Sequence, residues 1–171
     1  MTWSVDTAAQ NENMNYVQAF TESHIESALA RSLLQASMFR LSPEGIPPDP
    51  RGGWVYVVPQ YGVGRYRLDF ALFVITYDED IVMIDLECDG KQFHSTPQQI
   101  EKDDERNVTL VSEGWIVLRY PGGAIHHEAD ACADEVQTFI ECILAGCPTE
   151  ELVRGKCFGW DNWHTLQRSA A

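Results

Sequence analysis

Residues Arg65 to Asp89 read RYRLDFALFVITYDEDIVMIDLECD. Two apolar runs, Arg65–Ile75 and Ile81–Glu87, flank the polar stretch Thr76–Asp80 (TYDED). That is the pattern of two antiparallel strands joined by a tight turn. With the turn centred on Asp78, paired residues have numbers summing to 156 (twice 78), which sets Asp69 opposite Glu87 and Arg67 opposite Asp89. Alternation predicts Arg67, Asp69 and Ala71 on one face, together with Asp85, Glu87 and Asp89 of the partner strand. Tyr66, Leu68 and Phe70 are predicted on the other face, with Ile84, Leu86 and Cys88.

Directly opposed residues of such a pair have Cβ atoms roughly 4.5–5.5 Å apart, and like charges at that spacing destabilise a sheet. Either one carboxyl keeps its proton or something positive sits between the two acids. A divalent cation answers the cost, because Mg²⁺ takes one or two carboxylates together with waters and phosphate oxygens. An arginine answers it as well: Arg67 is placed to neutralise Asp69 or Glu87, or to form an ordinary cross-strand pair with Asp89.

Outward from this hairpin, Trp54–Pro59 is a further strand and Trp115–Tyr120 (WIVLRY) another. Ile25, Leu29, Leu33 and Ala36 recur at helical steps over Ser23–Phe39, and Ser23 followed by Glu26 has capping-box spacing. The stretch Leu41–Gly53 holds four prolines and three glycines and reads as a loop. Thr96-Pro97 opens a second helix and Gly114 closes it. Pro121-Gly122-Gly123 breaks the chain before a closing helix over His127–Leu144. The order is α-β-β-β-α-β-α: an α/β fold with a mixed sheet of about four strands flanked by helices. Residues 1–22 read as a polar lead-in, 23–145 as the domain, and 146–171, with Phe158, Trp160 and Trp163, as a strap packed on it.

The chain has 171 residues, enough for one domain with a real core. Its longest apolar run, Phe70–Ile75, is far below the ~20 residues of a membrane helix, and no secretory leader pattern opens it, so a cytoplasmic protein without membrane association is expected. The 26 acidic against 12 basic side chains give a formal net charge of −14, spread along the chain. Repulsion from nucleic acid is the default at that charge, so a phosphate-bearing substrate requires a local basic patch, a divalent metal or a partner supplying a basic surface. The five cysteines include no CxxC pair and no zinc-type spacing, and read as reduced, mostly structural thiols. There is no G-x-S-x-G elbow, P-loop or H-E-x-x-H helix. Cys88 with His94 is a poor nucleophile pair, because alternation turns Cys88 away from the acidic face.

Arg65-Tyr66-Arg67-Leu68-Asp69-Phe70-Ala71, followed by Ile84-Asp85-Leu86-Glu87-Cys88-Asp89-Gly90-Lys91-Gln92-Phe93-His94, resembles the core of the PD-(D/E)XK nuclease superfamily. The nearer likeness is to its DUF559 branch, related to very-short-patch-repair endonucleases. Asp103-x-x-Arg106-x-x-x-Leu110-x-x-x-Gly114-Trp115-x-Val117-Leu118-Arg119 is similar to the helix and strand that follow in that branch. Ser23-His24-Ile25-Glu26 and Val58-Pro59-Gln60 resemble its upstream segments. The resemblance spans Ser23 to Tyr120 and implies a restriction-endonuclease-like fold.

It also implies that Asp69 and Glu87 hold Mg²⁺ or Mn²⁺, with the Cys88 backbone carbonyl as a third ligand, and that Glu26 reaches the same site. For Glu26 the capping role stands equally. His94 and Lys91 are implied as catalytic helpers, and Gln60, Arg67 and Arg106 as groups that orient the site or bind phosphate; an intrahelical pair with Asp103 is the plainer role for Arg106. The lysine expected two residues after the glutamate is Asp89 here, as is usual in the nearer branch. The implied activity is metal-assisted hydrolysis of DNA phosphodiester bonds. The alternative is a nuclease-fold subunit that no longer cuts, an interaction partner or acidic DNA-mimicking inhibitor in a defence or counter-defence system, with Asp78–Asp80 and Glu101–Glu105 imitating phosphate spacing.

Overall fold

A computed structural model describes residues 17–89 and 97–147. From His24 the order is α1 (His24–Leu33), β1 (Phe39–Leu41), β2 (Val55–Val63), β3 (Tyr66–Ile75), β4 (Ile81–Asp89), α2 (Pro97–Ser112), β5 (Trp115–Pro121) and α3 (Gly122–Leu144). The strands form one five-stranded sheet in the order β1-β2-β3-β4-β5. Its two outer pairings are parallel and its two inner ones antiparallel. This is the mixed α/β architecture expected from the sequence.

Alternation along the strands feeds two cores. Val55, Val57, Phe70, Leu72, Ile84 and Leu86 face α1 and α3, which pack on each other. Tyr56, Val58, Ala71, Phe73 and Val117 face the side covered by α2, whose Leu110 is fully buried. On that side Tyr61 stacks edge-on against Phe73 at 5.3 Å and lies 5.8 Å from Trp115. The β3–β4 turn is closed by Thr76 N donating to Asp80 O at 2.9 Å, and the pairing runs from Ile75↔Ile81 to Phe70↔Leu86, every pair summing to 156.

Three local expectations are corrected. The first helix stops at Leu33 rather than Phe39, and Phe39–Leu41 forms the fifth strand, parallel to β2. Three residues are too few to show a period of two, and the apolar spacing of the helix overruns them. The closing helix begins at Gly122, not His127: Pro121 (φ −60°) sits just outside its first turn, and a break at Glu128 (φ −143°, ψ 47°) separates that turn from the rest. Within the lead-in, residues 17–20 are helical and Val17 is buried in the first core. Of the strap, only Gly146 and Cys147 lie among the described residues, where Gly146 (φ 80°) turns the chain out of α3.

The most consequential correction concerns the strand faces. Leu68 and Phe70, expected on one face, lie in opposite cores, Leu68 with Ala71 and Phe70 with Leu72. On the neighbouring strand, Val58 and Tyr61 pack on the same side although they are three residues apart. Both strands change face at one rung: the β2–β3 pairing stays in phase from Pro59↔Phe70 to Tyr61↔Leu68, but Gln60 and Asp69 between them do not pair. Gln60 has φ 51°, a left-handed conformation that inverts the order of faces along β2.

Candidate active site

Asp69 sits at this interruption, one residue past the last β3–β4 pair. Its carboxylate does what a further rung of the ladder would otherwise do: Cys88 N donates to Asp69 Oδ2 at 2.8 Å. Asp69 and Glu87 are therefore neighbours at the point where the two strands part, although they are not a backbone pair. Burial of Asp69, followed by the charge of Glu87, pushes the Asp69 carboxyl up to about 6, against the pull of the Cys88 N–H. The charge of Glu26 acts in the same upward direction.

Glu26 reaches this region from the first turn of α1 and is buried. Its Oε1 accepts from Ser23 Oγ at 2.7 Å, and its Oε2 accepts from Glu22 N at 2.9 Å and from Gln60 Nε2 at 3.0 Å. Glu26 N in turn donates to Ser23 Oγ at 3.2 Å. One side chain thus caps the helix and ties it to the switched rung of β2.

On the α2 side lie Asp85, Glu87 and Arg106. Asp85 is wholly buried between Ala71 and Val117, its partners on the adjacent strands. Arg106 Nη2 is hydrogen-bonded to Glu87 Oε1 and lies 3.4 Å from Asp85 Oδ2. Burial raises Glu87, but the hydrogen bonds from Arg106 and Asp85 and the Arg106 charge bring it below its ordinary value. Burial and the Glu87 charge hold Asp85 well above its own, so that Asp85 keeps a proton. Two acceptors meet there, and the proton on Asp85 makes it a donor to Glu87. Sequence reasoning places Asp85 on the acidic face but assigns it no role, because burial is invisible in one strand's pattern.

The expected neutralising roles of Arg67 are not seen. Arg67 pairs with Gly62 in the ladder, and its guanidinium binds Glu22 at 2.6 Å on the surface. The reason is the face switch, which carries Arg67 away from Asp69. Arg106 bonds across to β4 instead of to Asp103, because its position one turn before Leu110 turns it toward the sheet. The Cys88 side chain lies in the first core, on the far side from Asp85 and Glu87, and burial raises its thiol far above the ordinary range. Cys88, Cys132, Cys142 and Cys147 are all free thiols. Lys91 and His94 lie outside the described residues.

A divalent ion fits this site on charge and on donor type. The charges of Glu26 and Glu87 act on Asp69, those of Glu87 and Asp69 act on Asp85, and among the described residues the guanidinium bonded to them is that of Arg106, engaged by Glu87 and Asp85. No group of three or more His, Cys, Asp or Glu side chains among the described residues is arranged to hold an ion. Two carboxylates with waters suffice for Mg²⁺. Asp69 and Glu87 are acids of two neighbouring strands, and the charge of Glu87 acts on Asp69.

A mixed five-stranded sheet with helices on both faces is the architecture of a restriction-endonuclease-like fold. The family model REase_MTES_1575 matches residues 51–140, from just before β2 into α3, and the chain belongs to this restriction-endonuclease-like family. No curated protein and no solved structure gave a match. No helix among the described residues is long and apolar enough to cross a membrane.

Proposed function

We propose that this protein is a metal-dependent nuclease that hydrolyses DNA phosphodiester bonds, of the DUF559 branch related to very-short-patch-repair endonucleases. The observation that carries the reading is the meeting of Asp69 and Glu87 at the parting of β3 and β4, within the segment matched by the family. Asp69 and Glu87, with the Cys88 carbonyl, would hold Mg²⁺ or Mn²⁺. Such an ion supplies Lewis-acid polarisation of a phosphoryl oxygen and lowers the pKa of a bound water. The Cys88 N–H fixes the orientation of the Asp69 carboxylate. Glu26 holds Gln60 beside the same rung, and Arg106 fixes Glu87 and offers positive charge to a phosphate. His94 and Lys91 are the proposed helpers for the attacking water. At a net charge of −14, a partner with a basic surface would assist DNA binding.

The test is cleavage of single- and double-stranded DNA with Mg²⁺ or Mn²⁺, beside Asp69→Asn protein shown to be folded by its thermal transition. Cutting by the parent that disappears in the variant supports the proposal; equal cutting by both overturns it.

The Arg106–Glu87 bond and the overall acidity favour a second reading, a non-cutting nuclease-fold subunit or acidic DNA mimic that binds a DNA-binding protein. Absence of Mn²⁺ binding and of cleavage, joined with capture of such a partner, distinguishes it.

A further inference from the structure

α3 ends in a backbone arrangement that brings two cysteines together. Gly146 N donates to Ile143 O at 2.9 Å and Cys147 N donates to Cys142 O at 3.0 Å, with Gly146 at φ 80°. Two such bonds closed by a left-handed glycine cap a helix C-terminus, and they set the side chain of a last-turn residue against that of the second residue past the cap. Apolar residues usually meet there. Here both positions are cysteines, and both are free thiols, Cys142 half-buried and Cys147 exposed.

Partial burial, then the charge and hydrogen bond of Cys147, raises the Cys142 thiol above its ordinary value. The exposed member of the pair is the one that a dissolved reagent reaches, and the other stands directly behind it. Cys88 and Cys132 are set apart, because both lie buried in the first core and burial pushes the Cys132 thiol up to about 12 and Cys88 higher still. A disulfide spans roughly 4.4–6.8 Å between Cα atoms, and two residues joined by one backbone hydrogen bond meet that requirement without movement of the chain.

We propose that Cys142 and Cys147 are a redox-active dithiol, which a small-molecule disulfide of the glutathione class oxidises to a reversible disulfide. Cys147 gives up its proton and its sulfur attacks one sulfur of the small disulfide; that S–S bond breaks, and the first small thiolate leaves and takes up the proton. Cys142 then loses its proton and attacks Cys147 Sγ. The mixed S–S bond breaks, and the second small thiolate leaves and takes up that proton. The two protein thiols are oxidised by two electrons and the small disulfide is reduced to two thiols, and an excess of the small thiol runs both steps backwards. The new bond fastens the chain leaving α3 to the last turn of the helix. This site is separate from the acids of the proposed function and does not depend on them.

The test incubates the reduced full chain with oxidised glutathione and reads its intact mass and its non-reduced peptide map. The parent should lose two hydrogen atoms, carry no glutathione and show a Cys142–Cys147 cross-link. Cys142→Ser should stop at the mixed disulfide on Cys147, because the second step then has no attacking thiol. Thiols held in one chain act at effective concentrations of about millimolar or more, so the parent should hold about tenfold less mixed disulfide than Cys142→Ser at the same oxidant concentration. Equal mixed disulfide in the two proteins, a cross-link joining Cys147 to Cys157, or a parent left fully reduced overturns the inference. The same titration in urea separates the built cap from closeness in sequence: the unfolded chain should need an about tenfold more oxidising glutathione buffer for half oxidation. An equal requirement in the folded and unfolded chains also overturns it.

Discussion

The backbone N–H of Cys88 is held by the side chain of Asp69, Oδ2 to N 2.8 Å, one step beyond the last pair of the β3–β4 ladder, Phe70↔Leu86. This bond lets the strands part without leaving a half-buried N–H unpaired, and it holds a carboxylate against Glu87 at a cost in electrostatic energy. The pKa of Asp69 is raised in the folded protein, to about 6 from an ordinary 3.8. The folded state therefore binds more protons than the unfolded chain between those values, and stability falls as pH rises from about 4 to about 6.

Asp69→Asn keeps an acceptor for Cys88 N and removes the charge. Because Asp69 is partly open to solvent, the penalty relieved is discounted to about 1 kcal/mol. Without divalent ions at pH 7.5, the variant should melt about 2–4 °C higher than the parent, and the difference should vanish near pH 4. Melting curves across that range check this. A lower Tm for the variant at pH 7.5 counts against it.

Arg106→Gln leaves Glu87 and Asp85 facing each other with no guanidinium. A loss of about 2 kcal/mol is expected at pH 7.5 in metal-free protein. Removing the positive charge raises the folded-state pKa of Glu87, so the loss shrinks as pH falls and the acid takes up a proton. Urea unfolding at pH 7.5 and pH 5 compares the two; a loss that grows on acidification contradicts the assignment.

Gln60 combines a left-handed backbone with a hydrogen bond to Glu26. Gln60→Ala keeps the backbone cost and loses the bond, so it should destabilise by about 1 kcal/mol. Gln60→Gly loses the same bond and is free of the backbone cost, so it should be about 1 kcal/mol more stable than Gln60→Ala. Equal stability of the two would show that the positive φ costs nothing. Chemical denaturation of the pair resolves it.

Leu110 anchors α2 to the second core and lies one turn from Arg106. Leu110→Ala should cost about 2–5 kcal/mol by opening a cavity. The same loss should loosen Arg106, seen as faster hydrogen exchange over residues 106–110 than over β3. Uniform exchange changes across the sheet would argue that α2 does not move as a unit.

Much of this could be read along the chain. The β3–β4 register followed from the TYDED turn and the period of two on either side, since a tight turn leaves little freedom in pairing. Ser23 and Glu26 announced the start of α1, because a capping box depends only on local spacing. The three-residue strand β1 carried no readable period. The first turn of α3 was hidden by Pro121-Gly122-Gly123, which break most helices but here lie at the start of one. Arg67 left its expected place because a face switch at Gln60 and Asp69 leaves no mark in a pattern of apolar residues, and Arg106 bonds to Glu87 because α2 packs across β4.

By itself the sequence determined the four longer strands, the presence of the three helices, the pairing of the central hairpin and the excess of acid, because these depend on local periodicity, turn chemistry and composition. Tertiary structure alone decided that Asp69 bonds the Cys88 N–H, that Asp85 is sealed from water and that Arg106 serves Glu87. Those outcomes depend on how a helix packs across strands and where a ladder is interrupted, and both are set by contacts between residues far apart in the chain.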